Sequence, residues 1–469
     1  MPDELVLPLS HSARRMQSLA AATTVQQGKY NPYYLSISEL HPSLPSMVGM
    51  NIELSTLCTL LRLDATHPTA FEQLFTNFGP STLHIGGHST DESIWQPDGK
   101  PTCGQHPVIT QSLVQSLFAF ARRTHWKVIW GLDYLINKPQ LETDEAAYVS
   151  SVGGSSLLGF TMGNEPEVFS KHGFRPADWG YNNFIASWNT DRNMILARVP
   201  NAHFFGPEAC CQTGWLPTFL QDEAASGVIS TASHHYYYYS GINSDAAHIT
   251  IQTLLSQQRM NQFILQASSW VSAADKYKLP MDITEMNSIS NGGVHGISDA
   301  FASALWVSDV LFQSAALGIH QIDFQEVPGA AYALFNIQGN PQAVYNGMLF
   351  YHLATSASVV LLPSSLNSAA NISSYAFRGS DHTLRVVFIN KTSQQSKVSL
   401  VPGTSYHTMT TLQMHAASLT STSGITIGNT ALTSSGKWTM PALPRTTLHT
   451  AQVTLNIPAA SATLFTFSS

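Results

Sequence analysis

The feature that most constrains the fold is an alternation of short apolar runs with longer helical stretches between residues 46 and 326. Runs of this length bounded by turn residues are typical of buried strands, and stretches such as 111–125, 249–277 and 300–317 repeat apolar residues at helical spacing. Repeated strand–helix units predict a parallel sheet covered by helices. The predicted strands are 46–54, 81–87, 127–134, 157–164, 203–208, 227–237, 279–287 and 319–326.

Eight such strands are the number that closes a (β/α)8, or TIM, barrel, a fold that takes roughly 250 residues. The chain has 469 residues, so a second domain must account for the rest. We therefore predict an α/β fold with a catalytic barrel over residues 41–340.

A different pattern follows residue 340, where Asp381 is the only acidic residue and short alternating runs are separated by turn residues. Several short strands at this spacing predict an antiparallel β-sandwich over 341–469. Residues 30–38 also alternate but have no partner in the barrel, so we expect the N-terminal segment 1–40 to join the sandwich. The predicted sandwich strands are 358–362, 372–377, 384–389, 397–400, 448–457 and 462–467.

The charge content argues against several classes of partner. The net charge is −7, with 22 Lys and Arg against 29 Asp and Glu and no basic cluster. This balance does not favour binding to nucleic acid or to an anionic membrane, and no apolar run reaches the roughly 18 residues of a membrane span. Neither a phosphate-binding loop nor a dinucleotide fingerprint is present. We expect a monomer without a cofactor.

The N-terminus does not have the form of a signal peptide, because two acidic residues precede a very short apolar run. The chain is therefore either the mature part of a secreted protein with a start Met added, or intracellular. Charged residues make up only 11% of it, and the sequons at Asn371 and Asn390 also favour secretion. We expect a secreted glycoprotein.

The four cysteines do not have the spacing of a zinc site or a redox motif. A bridge between Cys58 and Cys103 is possible. The adjacent Cys210 and Cys211 could form a vicinal disulfide or remain two buried thiols, and the second alternative is the expectation.

Two predicted strands end in a carboxylate. The fourth strand stops at Gly163-Asn164-Glu165-Pro166, and the seventh ends at Glu285. The carboxyl ends of barrel strands open onto one face, where barrel enzymes keep their chemistry. A lone carboxylate there could be a helix cap or a loop ion pair, but two facing carboxyl groups are what glycoside hydrolysis needs. A separation of about 5–5.5 Å would predict retention of anomeric configuration.

Neighbouring residues suggest the roles of the pair. Asn164 can hydrogen-bond a sugar 2-hydroxyl, which makes Glu165 the acid/base and Glu285 the nucleophile. Asp282 and Glu167 lie close by in sequence, but their predicted places are off the strand ends, so we do not expect them to be catalytic. The histidines, including His234 and His235, lack the spacing of a metal motif, and we expect no metal.

Both strand-end motifs resemble the large clan of retaining barrel glycosidases, and other stretches narrow the resemblance to glycoside hydrolase family 79, the β-glucuronidases and heparanase. These stretches are Gly49-Met-Asn-Ile-Glu-Leu54, Leu83-His-Ile-Gly-Gly-His-Ser-Thr-Asp91, Gly131-Leu-Asp-Tyr134, Ser233-His-His-Tyr-Tyr237 and the residues from Gln325 to Tyr332. The resemblance covers the whole chain and implies that both termini build the sandwich.

The resemblance also implies further site residues. Tyr237 matches a tyrosine that hydrogen-bonds the nucleophile, and Glu53 and His88 match residues that contact sugar hydroxyls. Asn291, Gly292 and Tyr332 match residues that hold the glucuronate carboxylate, with Gln325 on the same rim. A pocket of backbone N–H groups and neutral donors can hold an anion without Lys or Arg.

These observations predict a retaining exo-β-glucuronidase that removes terminal β-linked glucuronic acid, with or without a 4-O-methyl group, from glycans or glycoconjugates. An endo-acting enzyme like heparanase is the nearest alternative, although the lack of clustered basic residues suits sulfated chains poorly. Another sugar specificity of the same clan is a further alternative. The non-enzymatic alternative is a carbohydrate-binding protein that has lost catalysis. The presence of Glu165, Glu285 and Tyr237 disfavours this alternative.

Overall fold

The computed structural model describes residues 47–136, 138–211, 214–241, 248–356, 359–362, 364–366, 368, 370–433 and 435–469, together with the backbone of the strand Tyr33–Ile37. The rest of the predicted segment 1–40 lies outside the described residues. No helix in the described part of the chain has the length and apolarity needed to cross a bilayer.

A closed barrel of eight parallel strands forms the larger part of the structure, as predicted. Each strand lies within two residues of its predicted ends, and the seventh and eighth strands close the sheet against the first. The barrel strands, first to eighth, are Val48–Glu53, Thr82–Gly86, Lys127–Leu132, Leu157–Met162, Phe204–Ala209, Ile229–Tyr239, Met281–Ile289 and Gln321–Glu326.

The strands are buried on both sides because helices cover the barrel. The α-helices are Leu57–Thr66, Pro68–Thr76, Gln111–Thr124, Pro139–Gly153, Tyr181–Arg198, Trp215–Glu223, Ile251–Leu254, Gln257–Asp275, Phe301–Leu317 and Ala343–Thr355. A small two-stranded sheet, Ile94–Trp95 with Val108–Ile109, lies in the connection after the second barrel strand. In that connection Cys103 forms a disulfide with Cys58, the bridge considered possible from the sequence.

The predicted helix 249–277 is wrong in one respect, because the chain forms two helices there, Ile251–Leu254 and Gln257–Asp275. Ser256 separates them with an extended backbone, and its hydroxyl accepts a hydrogen bond from the Arg259 N–H (3.2 Å). A serine that caps the first turn satisfies a donor that would otherwise lack a partner, which favours a helix start at this residue.

Two sheets form the C-terminal sandwich. The smaller has four strands, and in it Tyr33–Ile37 pairs with Ser364–Leu366 and Ser396–Leu400, so the N-terminal strand joins the sandwich as predicted. The remaining strands are Val360–Leu362, Ile372–Arg378, Leu384–Asn390, Thr408–His415, Thr426–Ile427, Thr446–Thr447, Val453–Ile457 and Ser461–Ser468. The domain boundaries at 40/41 and 340/341 stay predictions. The helix Ala343–Thr355, beyond the second boundary, packs on the barrel helix Phe301–Leu317.

The larger sheet is buried on both faces. Along Leu384–Asn390, Val386 and Phe388 pack against the smaller sheet, whereas Val387 and Ile389 join the core shared with the barrel. This explains why that strand is a nearly continuous apolar run. The strand Thr408–His415, which pairs with Ser461–Ser468 in the same sheet, was not predicted, since its Thr-rich sequence gives a weak alternation signal.

A buried ion pair joins the sandwich to the barrel. Lys391 Nζ lies 2.6 Å from Asp309 Oδ2, and the other oxygen of Asp309 accepts a hydrogen bond from the Tyr375 hydroxyl (2.6 Å). Ser373 also donates to Asp309 (3.0 Å). Asp309 lies on the barrel helix Phe301–Leu317, and its partners lie on the sandwich. The carboxylate is therefore satisfied only when the two parts are packed together.

Replacing Lys391 with Met should lower the free energy of unfolding by about 3–5 kcal/mol, because it leaves the Asp309 charge buried without its cation. Urea unfolding would measure the change. The matched control is Lys397→Met on the exposed surface of the same part of the fold, which should stay within about 0.5 kcal/mol of the parent. Similar small losses in both variants would contradict the role of the buried pair.

Candidate active site

Glu165 and Glu285 lie together at the barrel mouth, the end of the barrel where the carboxyl ends of its strands open. Glu285 is part of the seventh barrel strand, and Glu165 follows the fourth in a left-handed conformation (φ 52°). The backbone N–H of Glu165 donates to the carbonyl of Glu208 (2.9 Å), which fixes this turn. One oxygen of each carboxyl group and a ring nitrogen of His235 lie within 4.8 Å of one another.

Two hydrogen bonds hold the Glu285 carboxyl group from opposite sides. The Tyr237 hydroxyl donates to Oε1 (2.7 Å), and the Asn51 amide donates to Oε2 (3.0 Å). Asn51 also donates to Gln325 Oε1 (2.5 Å), and Gln325 in turn donates to Glu53 (2.9 Å). A continuous network thus runs from the sixth and seventh strands to the first and eighth, and it orients Glu285.

His235 connects the two carboxylates to a third one beneath them. Its Nδ1 lies 3.3 Å from Glu165 Oε1, and its Nε2 lies 2.9 Å from Glu208 Oε2. Burial by itself would lower the pKa of His235, but the negative charge of Glu285 and the bonds to Glu165 and Glu208 raise it well above its ordinary value. The surrounding carboxylates thus favour the protonated, cationic form of the buried His235.

Glu208 is the carboxylate paired most closely with that charge. Burial would raise its pKa, yet the hydrogen bond and charge of His235 outweigh burial and lower the pKa to about 2. The Thr284 hydroxyl also donates to it (2.9 Å), and His84 lies 3.8 Å away. Glu208 stays ionised throughout the neutral range and holds the proton on His235.

The pKa of Glu285 is raised to about 7, first by burial and then by the charges of Glu165 and Glu53. His235 and the Tyr237 hydrogen bond act in the opposite direction. The ionised form of Glu285 thus depends on the cation beside it, since the other charged neighbours that affect it are carboxylates.

Asn164 and Glu53 border the same mouth. The Asn164 N–H donates to Asp91 (2.8 Å), while its side-chain oxygen is buried and has no hydrogen-bond partner among the described residues. Glu53 accepts from the N–H of Ser89 (2.6 Å) and from its hydroxyl. His88 instead turns outward; 54% of its side chain is exposed and its ring stacks on Phe174 (5.4 Å between centroids).

The loops after the seventh and eighth strands meet beside Tyr237. The Gly292 carbonyl accepts from the Ala331 N–H (2.7 Å), and the Tyr332 ring lies 6.3 Å from that of Tyr237. Asn291 and Gly292 both have positive φ, 56° and 89°. The structure therefore places Asn291, Gly292 and Tyr332 next to one another.

Three residues that the sequence did not predict to be catalytic lie outside the cluster of Glu165, His235 and Glu285. Asp282 is buried near the start of the seventh strand and accepts from His320 (2.8 Å). The Glu167 carboxylate is buried under the loop after the fifth strand. His234 stacks on Trp270 (4.3 Å), and burial lowers its pKa to about 3, so it is a neutral packed histidine.

Sequence reasoning missed Asn51 and Glu208 as site residues and left His234 and His235 undistinguished. The signal for Asn51 was available, because it shares a strand face with Glu53 at a spacing of two residues. Glu208 also had a signal, since it lies at the end of a predicted strand like Glu165 and Glu285. Both histidines are buried, and the carboxylates that distinguish His235 from His234 come from other strands, so they left no local signal in the sequence.

Cys210 and Cys211 form a disulfide, so the expectation of two buried thiols is wrong. Cys210 is half-buried and Cys211 exposed. Both backbone N–H groups donate to Glu167 Oε1, at 2.5 and 2.8 Å. These bonds fix the pair at the mouth, where Cys211 stays exposed.

Two groups of side chains bring possible metal ligands together among the described residues. Glu165, His235 and Glu285 form the first, and Glu165 with Cys210 and Cys211 forms the second. The second lacks free thiolates because its sulfurs are bonded to each other. In the first, both ring nitrogens of His235 already lie within hydrogen-bond distance of carboxylates, Nδ1 of Glu165 and Nε2 of Glu208.

The chain is similar to two characterised glycosidases. A β-glucuronidase of Neurospora crassa is 23% identical over 438 residues, which cover 79% of this chain and 76% of the relative. A heparanase of Rattus norvegicus is 23% identical over 344 residues, 61% of this chain and 62% of the relative, so that match spans less than two thirds of either. No family model matches the chain.

Among solved structures, a 4-O-α-L-rhamnosyl-β-D-glucuronidase from Fusarium oxysporum, in complex with Rha-GlcA, superposes with a TM-score of 0.78. It is 18% identical and covers 92% of this chain and 99% of its own, and at that identity it supports the barrel-and-sandwich fold. Together with the two relatives, it confirms the resemblance to glycoside hydrolase family 79 and indicates a glycosidase of the glucuronidase type.

The protonation states of the two adjacent histidines provide a test that is independent of activity. In protein with 15N-labelled histidine, NMR should find His235 protonated and His234 neutral at pH values above about 7. Glu208→Gln should lower the pKa of His235, because it removes one of the negative charges that hold the proton. Glu145→Gln, at a buried carboxylate bonded to Trp130, is the matched control and should leave it unchanged. Titration of His235 near about 6.5 in the parent protein would contradict this arrangement.

Proposed function

We propose that this chain is a retaining exo-β-glucuronidase that releases terminal β-linked glucuronic acid, with or without a 4-O-methyl group, by double displacement. The observation that carries the proposal is the pair of carboxyl groups at the mouth, with oxygens of Glu165 and Glu285 within 4.8 Å of each other. Retaining glycosidases separate their two carboxyl groups by about 5–5.5 Å, whereas inverting enzymes need roughly 6.5–9.5 Å to fit a water.

In the first step Glu285 attacks the anomeric carbon and the bond to the glycosidic oxygen breaks. Glu165 gives its proton to that oxygen, so the aglycone leaves as an alcohol and a glycosyl ester forms on Glu285. In the second step Glu165, now a carboxylate, takes a proton from water while the water oxygen attacks the anomeric carbon and the ester bond to Glu285 breaks. Glucuronic acid leaves with its original configuration, and both carboxyl groups return to their starting states.

His235 and Tyr237 prepare the nucleophile. Because burial holds the pKa of Glu285 near 7, the nearby imidazolium and the phenol hydrogen bond are what favour its ionised form. Glu208 keeps the proton on His235, so we assign Glu208 a positioning role. Asn51 holds the second oxygen of Glu285 and leaves the first to Tyr237.

The sugar-binding assignments depend on which polar side chains lie at the barrel mouth and which turn away from it. We assign Asn164, which precedes the acid Glu165, to the sugar 2-hydroxyl, and the hydrogen-bonded pair of Glu53 and Gln325 to other hydroxyls. His88 faces outward, so we assign it to the outer rim and not to the sugar itself.

A glucuronate carboxylate fits beside Tyr332. Asn291 and Gly292 lie in a turn with positive φ angles, and the backbone N–H groups of such turns can form an anion-binding concavity. The Tyr332 phenol is neutral, because burial and the charge of Glu285 raise its pKa far above the physiological range. The anion would thus be held by neutral donors, which adds no second cation beside Glu165 to that of His235.

Exo action and secretion are parts of the same proposal. The bond between the Gly292 carbonyl and the Ala331 N–H ties two loops together on the side of the sugar carboxylate, which suits a closed pocket.

Secretion is supported by the two disulfides, which suit an oxidising compartment. The sequons do not add support, since Asn390 is buried and donates to two carbonyls and the Asn371 amide donates to Leu255. A monomer remains our expectation.

A panel of 4-nitrophenyl β-glycosides tests the function directly, and we expect the glucuronide to be hydrolysed far faster than the glucoside, the xyloside or the arabinoside. Glu285→Gln should reduce kcat on the glucuronide by at least about a thousandfold, and Glu145→Gln should keep parental activity. NMR of the first product should find the β-anomer. A first-formed α-anomer, or preference for a neutral sugar, would refute retention or glucuronate specificity respectively.

Glu165→Ala should slow hydrolysis of glucuronides with poor leaving groups by about 10²- to 10⁴-fold, since these need a general acid. A 2,4-dinitrophenyl glucuronide needs little protonation, so its bond cleavage should be much less affected. Added azide should restore its turnover and yield a β-glucuronyl azide, because azide attacks the intermediate without a base. Equal loss on both substrates, with no effect of azide, would remove Glu165 as acid/base.

A further inference from the structure

The disulfide between Cys210 and Cys211 lies beside the acid/base candidate. One carboxylate oxygen of Glu165 and the two sulfur atoms lie within 4.8 Å of one another. Cys210 is half-buried and Cys211 exposed, so the structure does not enclose the pair at the mouth. The pair follows the fifth barrel strand, next to the fourth strand that carries Glu165.

The backbone that carries this pair is rigidly held. Both its N–H groups donate to the buried Glu167 carboxylate, and the Glu165 N–H donates to the Glu208 carbonyl two residues before Cys210. The loop therefore keeps the sulfurs in a fixed position relative to Glu165. The other disulfide differs, because Cys58 and Cys103 pack against the barrel core.

The chemistry of the first step places the leaving group on this side. The acid must reach the glycosidic oxygen, which is bonded directly to the first atom of the aglycone. The sugar lies between Glu165 and Glu285, so the aglycone must pass on the side of Glu165 away from Glu285. The sulfurs lie within 4.8 Å of the Glu165 oxygen, so they border the space through which such a group must pass.

We propose that the Cys210–Cys211 disulfide is the floor of the leaving-group subsite, on which the apolar face of an aryl or sugar aglycone packs. This rests on the proposed function of Glu165 as the acid. A disulfide has no hydrogen to donate and is polarisable, so it favours the C–H face of a sugar or an aromatic ring over a charged group. The subsite thereby selects glucuronides whose aglycone begins with a ring.

The test compares two substrates of one sugar, β-glucuronyl fluoride, which has no aglycone ring, and 4-nitrophenyl β-glucuronide. In Cys210→Ala/Cys211→Ala, the ratio of kcat/KM for the aryl glucuronide to that for the fluoride should fall about two- to tenfold, because sulfur–ring contacts contribute about 0.3–1.5 kcal/mol. The matched control, Cys58→Ala/Cys103→Ala, removes the other disulfide and should keep the parental ratio. An unchanged ratio in a folded Cys210→Ala/Cys211→Ala protein would overturn the proposal.

The parent protein gives a second measurement that does not depend on a variant folding. Phenyl 1-thio-β-D-glucuronide, which resists hydrolysis, should slow the reduction of Cys210–Cys211 by a phosphine, and glucuronic acid alone should not. Equal reduction rates would also overturn the proposal. If the parent protein hydrolyses neither glucuronide, the proposed glucuronidase function is refuted. The kcat/KM ratio and the slowing of disulfide reduction are then measured with glycosides of the sugar that the panel identifies.

Discussion

The structure of the site depends on one buried positive charge. His235 is enclosed by Glu165, Glu208 and Glu285, and these carboxylates keep it protonated although burial opposes its charge. The imidazolium in turn lets carboxyl groups approach one another closely without all being neutralised. Without this cation, burial would favour protonated Glu285, and a protonated carboxyl group is a poor nucleophile. The pair at the mouth is therefore one unit with the histidine and Glu208 beneath it.

The same principle holds the two parts of the fold together. Asp309 on a barrel helix is buried against Lys391, Ser373 and Tyr375 of the sandwich, so its charge is compensated only across that contact. One face of the larger sandwich sheet also packs its apolar side chains into the core shared with the barrel, while the other face packs against the smaller sheet. The sandwich thus packs against the outer helices of the barrel, while the eight strands position the side chains at its mouth.

Much of the site was predictable because a simple rule relates strand ends to the barrel mouth. Glu165 and Glu285 follow that rule, and so does Glu208, which the sequence analysis did not weigh because no second signal marked it. His235 differs from His234 only through its neighbours, as one faces three carboxylates and the other stacks on Trp270. The cysteine prediction failed since adjacency in sequence leaves open whether the loop is buried or held at the surface.

The sequence by itself determined the alternation of strands and helices, the sandwich strands with clear apolar periodicity, and the carboxylates at the fourth and seventh strand ends. Local periodicity reports which face of an element is buried, so these features need no knowledge of distant residues. Only the tertiary structure decided the charge of His235, the partners of Glu285 and the Asp309–Lys391 contact. Asn51 and Glu285 are 234 residues apart, and a pKa or a hydrogen bond depends on which distant groups share one buried space.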